Sequence, residues 1–197
     1  MRVVKQGWKY AGVLVLLAIP SGIISPVLAF GVLIAAIGVL VFFRDPDRHP
    51  ASEGILSPAD GKVSIIREEG NRLRVGVYMN VLNVHVNRSP IQGQVASVKH
   101  RAGAHRPAFA KDSDRNERVT IAIAGRSDVE VDLIAGAFAR RITPYPSEGD
   151  TLERGDRIGH IAFGSRADVL LPAAYDRQHI AVSMGDRVRA GESILAS

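Results

Sequence analysis

An uncharged apolar run near the N-terminus constrains the fold of this chain more than any other feature. Residues 11–43 contain no charged side chain. A single straight helix of this length would extend roughly 50 Å, whereas the hydrocarbon core of a bilayer is about 30 Å thick. Two full spans would need about 40 residues. The run therefore predicts a membrane anchor over residues 1–43 that is neither one straight helix nor two complete spans.

The interruptions and flanks of this run favour a helical hairpin. Pro20 and Pro26 divide it into two apolar stretches, 8–19 and 27–43. Basic residues flank both ends: Arg2, Lys5 and Lys9 before it, and Arg44 and Arg48 after it. Since basic flanks prefer the cytoplasmic side, both ends are expected there. The predicted location is the cell membrane, with the remaining domain facing the cytoplasm.

Two other arrangements of the same run stay open. One is a single span over about 23–43. The other is a signal peptide cut after Ala29, because Val27-Leu28-Ala29 resembles a small-residue cleavage site. Such a cut would leave a second apolar run exposed, so it is the least favoured of the three arrangements.

Residues 44–197 predict one β-rich domain. Short runs with β-branched alternation recur between Gly, Pro, Asn and Asp residues. The predicted strands are 61–67, 72–78, 84–87, 93–100, 117–123, 129–135, 140–145, 156–163, 168–171 and 188–195, with a loop over 105–115. The segments 148–156 and 184–192 echo each other as Gly-Asp-x-apolar-x-x-Gly. This spacing resembles carrier domains of the biotinyl and lipoyl type and suggests a flattened β-sandwich of the barrel-sandwich kind.

Composition removes several classes of chemistry. The chain has no cysteine, which excludes disulfides, thiol nucleophiles and cysteine-based zinc sites. The histidines show neither His-x-His nor His-x-x-x-His spacing, so no metal is predicted. The net charge of +5 suits anionic lipid headgroups or nucleic acid. No basic run is interleaved with aromatic residues, so nucleic acid is not expected as a partner.

Two polar segments could carry chemistry. In NVHVN, strand alternation places His85 on one face with Asn83 and Asn87, and the valines on the other. This pattern fits either a solvent-facing strand or a polar pocket in which an imidazole moves protons. In SPADGKV, Asp60 precedes Gly61 before a strand, where a plain hairpin turn is the simpler explanation.

The pair Gly164-Ser165 lies within HIAFGSRADVLLP, between two predicted strands. One interpretation is a turn in which glycine takes a positive φ and the serine is exposed. The other is an intrachain reaction, in which the hydroxyl attacks the preceding carbonyl and glycine offers the least hindrance. That reaction needs a base and a group that orients the base. Asp60, His85 and Ser165 supply one residue for each of these roles.

These segments resemble the phosphatidylserine decarboxylases, in the short form of archaea and many bacteria. The likeness runs in order through FFRDPDR, SPADGKV, NVHVNRSP, RNERV, the stretch 139–166 and VLLP. It implies that the chain is a proenzyme that cleaves itself between Gly164 and Ser165. The products would be a β chain, 1–164, and an α chain, 165–197, that stay paired without a covalent bond. A homo-oligomer is compatible with this organisation.

The resemblance also implies the cofactor and the site roles. Ser165 would become a pyruvoyl group that forms a Schiff base with the amine of a serine phospholipid, without pyridoxal phosphate or metal. His85 would transfer protons, and Asp60 would orient His85 during self-cleavage. The product would be the ethanolamine phospholipid, and the lipid could be diacyl or diether. One departure is Leu82, where longer bacterial members carry a second histidine.

Two non-enzymatic interpretations compete with this one. A membrane-anchored carrier or adaptor would suit the Gly-Asp echo, but residues 157–183 contain no lysine for a carried group and no heptad helices are apparent. A lipid-surface binding protein would result if Ser165 is never processed.

Overall fold

The computed structural model describes residues 2–104, 106, 115–137, 141–161 and 164–197. By backbone contacts the chain divides into two compact units, Met1–Asp47 and Arg48–Ser197. The first unit is mainly helical and the second is mainly β. The prediction of a mainly β protein with an apolar helical N-terminus is confirmed.

The N-terminal unit is a helical hairpin closed by a short strand pair. Its elements are β1 (Arg2–Val3), α1 (Lys5–Ile24), α2 (Pro26–Phe42) and β2 (Arg44–Asp45). The antiparallel pairing of β1 with β2 brings the two ends of the unit together. The Tyr10 and Phe43 rings also meet, with their centroids 5.7 Å apart. Among the described residues, α1 is the one helix of at least 18 residues that is apolar enough to cross a membrane.

The first helix extends past the apolar stretch predicted over 8–19, although the chain does turn between Pro20 and Pro26. Pro20 lies inside α1, and the chain turns only at Ser25, whose backbone is extended. A proline disfavours the helical conformation of the preceding residue but is well placed in the first turn of a helix, which explains why Pro26 starts α2. Near Pro20, the Ser21 hydroxyl donates to the Leu17 carbonyl at 2.8 Å. Such side-chain bonds help apolar helices to tolerate proline.

The second unit is built from thirteen described strands. They are β3 (Ile55–Leu56), β4 (Gly61–Glu69), β5 (Arg72–Met79), β6 (Val86–Arg88), β7 (Gly93–Arg101), β8 (Arg118–Ala124), β9 (Val129–Ile134), β10 (Ile142–Pro144), β11 (Thr151–Leu152), β12 (Arg157–Ile161), β13 (Ser165–Leu170), β14 (Arg187–Val188) and β15 (Ile194–Ala196). An eight-stranded sheet has the order β11-β7-β8-β9-β13-β5-β4-β14. Smaller sheets have the orders β10-β12-β6 and β15-β3.

The two faces of the eight-stranded sheet differ in polarity. On one face, alternate residues such as Val77, Val131 and Ala167 belong to the hydrophobic core. The opposite face carries buried charged residues, among them Arg74, Asp132, Arg166 and Asp168. Because side chains alternate along each strand, the pairing register decides which face a residue occupies.

Two predicted strands have different limits in the structure. The strand predicted over 168–171 begins at Ser165, so the serine belongs to a strand and not to the preceding turn. The strand predicted over 188–195 is two short strands, β14 and β15, separated by a turn with Gly191 at a φ of +72°. Most of the loop predicted over 105–115, and the residues 140 and 162–163 of two predicted strands, lie outside the described residues.

The Gly-Asp echo corresponds to a structural repeat. Gly149 donates a backbone hydrogen bond to Val95, and Gly185 donates one to Val63, both at 2.8 Å. Gly155 and Gly191 make a second matching pair of bonds, to the carbonyls of Ser89 and Ser57. The two acceptor segments are themselves alike.

These acceptor segments read SPADGKV (57–63) and SPIQGQV (89–95), a likeness that the sequence analysis missed. Each serine hydroxyl donates to the carbonyl two residues on, in Ser57 at 2.7 Å and in Ser89 at 2.6 Å. The repeat therefore places Gln92 at the position that corresponds to Asp60. The turn that both segments form accounts for the residues they share. It does not account for Asp60, because the corresponding residue in the other segment is Gln92.

Candidate active site

Ser165 is the first residue of β13, a strand with partners on both sides. It lies opposite Met79 of β5, and its side chain shares the core face of the sheet with Ala167 and Val169. The serine is fully buried. Within the described part of the chain its hydroxyl has no hydrogen-bond partner. The predicted alternative of an exposed turn serine is therefore wrong, because the serine is buried in a core strand.

Gly164 precedes β13 in a left-handed conformation, with a φ of +63°. A side chain at this position would meet no described atom within 4 Å. The glycine is therefore required by its backbone conformation and not by close packing. The turn interpretation of Gly164 is correct for the glycine, although it fails for the serine.

His85 lies just before β6 and is 2% exposed, which excludes the solvent-facing alternative. Its Nδ1 is 2.9 Å from the carbonyl oxygen of Asn83. Because a carbonyl can only accept, this bond places the proton on Nδ1 and leaves the lone pair of the neutral ring on Nε2. An imidazole in this tautomer is suited to act as a base through Nε2.

Asn87 connects the histidine segment to the serine strand. It is fully buried, and its Nδ2 lies 3.7 Å from the sulfur of Met79, the residue opposite Ser165. The same Nδ2 donates to the Pro58 carbonyl at 3.3 Å. The Asn87 Oδ1 has no hydrogen-bond partner among the described residues. Buried polar atoms normally have partners, so an open amide oxygen and an open hydroxyl near one methionine indicate a site for a polar group.

Asp60 is held by partners other than His85. Both of its carboxylate oxygens accept from Arg48 Nη2, at 2.9 and 2.8 Å, and Oδ1 also accepts from the Ala190 backbone at 2.8 Å. The Arg48 side chain is only 7% exposed and also reaches Glu192. Arg48 and the Arg166–Asp168 pair were not singled out as site residues by the sequence analysis. Nothing in the local pattern around Arg48 pointed to a partner twelve residues away.

Strand register brings the three predicted site segments to one end of the sheet. Tyr78 on β5 pairs with Lys62 on one side and with Arg166 on the other. Gly61 and Ser165 therefore flank the end of β5, with backbones about 10 Å apart across two strand spacings. His85 joins this end because its carbonyl accepts from Ile161, four residues before Ser165, at 3.3 Å.

A buried ion-pair network fixes β13 from the opposite face of the sheet. Arg166 donates to both oxygens of Asp168, at 2.7 and 2.9 Å. Arg74 donates to Asp132 at 2.6 Å and lies 3.5 Å from Asp168. Burial raises the pKa of Asp168, and the charge of Arg166 opposes that shift. The network anchors the strand that begins with Ser165.

A second buried histidine, His160, lies in the same region, but its side chain is on the opposite face from that of His85. His160 pairs with Val86 across β12 and β6, so its side chain is on the other face from His85. Its Nδ1 is 3.1 Å from the Tyr145 hydroxyl. Burial lowers the pKa of His160. This ring is therefore assigned to packing and not to the group around Ser165.

Comparisons with known proteins identify the family of the chain. A sequence model of the family described as phosphatidylserine decarboxylase matches residues 36–196. The chain therefore belongs to the phosphatidylserine decarboxylase family, as its motifs predicted. The short form of that family, which the sequence resembles, is found among its relatives in both archaea and bacteria.

Three relatives illustrate this range. A protein of Halobacterium salinarum named "Putative archaetidylserine decarboxylase proenzyme" is 55% identical over 193 residues, which cover 96% of this chain and 95% of that protein. A "Phosphatidylserine decarboxylase proenzyme" of Thermobifida fusca is 52% identical, over 85% of this chain and 77% of its own. A Methanococcoides burtonii protein with the same name as the first is 49% identical, over 80% and 74%.

Proposed function

We propose that the chain is a self-cleaving proenzyme whose product decarboxylates a serine phospholipid, phosphatidylserine or archaetidylserine, to the ethanolamine lipid. Family membership supports the reaction class, and the relatives carry these substrates in their names. The observation that carries the proposal is the buried Ser165 hydroxyl without a described partner, directly after a left-handed glycine. An ordinary structural serine in a core strand would donate its proton to a nearby acceptor.

Self-cleavage begins at Ser165. The hydroxyl attacks the Gly164 carbonyl carbon while His85 Nε2 takes its proton, and the peptide C–N bond is replaced by an ester. Removal of the Ser165 α-proton then breaks the Cβ–O bond, so Gly164 leaves as the carboxylate end of the β chain. The remaining enamine becomes an imine, and water hydrolyses it to a ketone with release of ammonia. In this proposal Asp60 orients His85 in these steps, as the family resemblance implies.

The proposed role of Asp60 requires a change in its hydrogen-bond partners. Its carboxylate is bound by Arg48 and by the Ala190 backbone, and His85 Nδ1 is bound to Asn83. Direct orientation of the imidazole would require the carboxylate to exchange one of these partners. The alternative is that Asp60 acts by fixing the SPADGKV turn, which lies next to the end of β5.

The surroundings of Ser165 are compatible with a pyruvoyl group at that position. The new ketone would lie in the interior near Met79 and Asn87, where the open amide oxygen can accept a hydrogen bond from the amine of the substrate. A pyruvoyl group at position 165 would supply a ketone for a Schiff base with the substrate amine, with loss of water, and a conjugated system that takes up the electron pair left when CO₂ departs. His85 then returns a proton to the carbon that has lost CO₂.

The strand order supports a stable pair of chains after cleavage. β13 lies between β9 and β5, while β14 pairs with β4 and β15 with β3. The α chain thus contributes strands to two sheets of the β chain. The Arg166–Asp168 pair adds contacts to Arg74 inside the interface. Cutting one peptide bond would leave these interactions in place.

The test is an intact mass spectrum of the protein purified in detergent. The proposal expects two chains, with the smaller one starting at residue 165 and carrying a ketone in place of the serine amine. Ser165→Ala should remain full length and inactive, whereas Ser147→Ala, at an exposed serine, should be cut normally. A normal split in the Ser165→Ala protein would overturn the proposal.

A further inference from the structure

The loop 80–83, between β5 and β6, exposes two large apolar side chains close to Ser165. Val81 is 57% exposed and Leu82 is 78% exposed. The loop follows Met79, the residue opposite Ser165, and leads directly to His85. Two adjacent exposed apolar residues at a loop tip cost free energy in water unless the tip meets an apolar phase.

The loop satisfies its own backbone polar groups. The Asn80 side chain accepts from the Leu82 backbone at 2.8 Å, and the Asn83 side chain accepts from the Asn80 backbone at 2.9 Å. The Asn83 backbone donates to the Asn80 carbonyl at 3.1 Å. A segment that enters the edge of a bilayer must satisfy its backbone internally, and this turn largely does so.

Two cations lie beside the loop in an arrangement that is unfavourable on its own. Lys62 and Arg187 are both exposed and stand directly opposite each other across β4 and β14. Like charges in this position repel. Within the described residues neither cation has an acidic partner, since the ion pairs of this unit involve other side chains. An external anion would relieve the repulsion.

The register places the cations and the loop at one end of the sheet. Lys62 pairs with Tyr78, two residues before Asn80. The hairpin turns at the other end of the sheet do not expose a large apolar side chain. Asn71 lies in the turn between β4 and β5, and Arg126 lies in the turn between β8 and β9. Among the residues that the structure describes, an apolar loop tip and cations without an acidic partner therefore occur together only at the end of the sheet that contains Ser165.

We propose that the loop 80–83 inserts its Val81–Leu82 tip into an anionic phospholipid bilayer, with Lys62 and Arg187 against the phosphate layer. An apolar tip flanked by cations is the composition expected of an interfacial membrane contact. This inference rests on the proposed function, because it places the Ser165 end of the β unit at the surface where a serine phospholipid resides. It adds a membrane contact that is independent of the N-terminal hairpin.

The test measures insertion of the loop in the full-length protein. Because the chain has no cysteine, Leu82→Cys can carry a single environment-sensitive fluorophore, and Asn71→Cys serves as the matched control at the other end of β5. Both proteins are reconstituted in vesicles of phosphatidylcholine and phosphatidylglycerol with brominated acyl chains. Quenching of the label at position 82 but not at position 71 is expected. Equal quenching at both positions, or none at position 82, would overturn the proposal.

Charge substitutions test the second part of the proposal. Lys62→Gln and Arg187→Gln should each reduce the insertion equilibrium constant about fivefold in these vesicles, and less in pure phosphatidylcholine. Arg126→Gln, at the opposite end, should have no effect. If all three variants behave alike, the cations do not contact the bilayer. The measurements are repeated in uncut Ser165→Ala protein, so that failure of self-cleavage and failure of insertion are seen separately.

Discussion

Ser165 lies directly opposite Met79, and Asn87 reaches the sulfur of that methionine from another sheet. This one contact joins the serine strand to the histidine segment, because Asn87 and His85 are two residues apart and share a face. The methionine is fully buried. The group around Ser165 is thus formed between two sheets and not along one loop, so the testable consequences concern both sheets.

Replacement of the proposed base should slow self-cleavage. We expect His85→Gln to reduce the rate by about 10²- to 10⁴-fold, because glutamine cannot take the Ser165 proton. The rate is followed by the mass of the chain over time after synthesis in vitro. His100→Gln is the matched control, since His100 is exposed and paired with Glu117. Equal rates for the two variants would exclude His85 as the base.

Substitutions at Asp60 and Arg48 can distinguish a role of Asp60 in orienting His85 from a role in stabilising the fold. Asp60→Asn and Arg48→Met both remove the ion pair between these two side chains, Arg48→Met also removes the contact with Glu192, and each should cost about 2 kcal/mol of unfolding free energy. If Asp60 orients His85, only Asp60→Asn should strongly slow self-cleavage. Gln92→Asn, at the corresponding place in the repeat, should alter neither property. Equal cleavage defects in Asp60→Asn and Arg48→Met would instead assign Asp60 to the turn.

If the chain is cut as proposed, Asp168 should help to hold the α chain in place. Asp168→Asn removes the carboxylate that lies 3.5 Å from Arg74 of the proposed β chain and that also binds Arg166, and the loss of this buried partner should cost about 3–5 kcal/mol. The α chain should then separate more readily from the β chain during gel filtration in mild denaturant. A double variant, Arg166→Met with Asp168→Leu, should recover much of the association. Unchanged association in Asp168→Asn would show that strand pairing alone suffices.

His160 should make the fold sensitive to acid. Burial lowers the pKa of His160 below its ordinary value of 6.5, so the unfolded chain binds a proton that the folded chain rejects. The contribution is constant above that value, and stability falls as the pH decreases from 6.5 towards the folded pKa. His160→Asn should flatten this part of the curve of melting temperature against pH. An unchanged slope would assign the acid sensitivity to another group.

Much of the overall organisation could be predicted from local patterns. The uncharged run predicted the helical N-terminus, and alternation located most strands of the second unit to within a few residues. Errors occurred where a local signal was outweighed by other interactions. Pro20 was expected to interrupt the helical run but lies inside α1, and the strand predicted from residue 168 begins at Ser165 because Ser165 pairs with Met79 of β5.

The sequence by itself determined the family and the apolar helical N-terminus, because each depends on contiguous residues. Only the tertiary structure decided that His85 is buried, that Asp60 binds Arg48, and that Lys62 faces Arg187. These relationships depend on which strands pair and in which register. A shift of one residue would send every side chain to the other face, so such contacts result from the assembled sheets and not from any single segment.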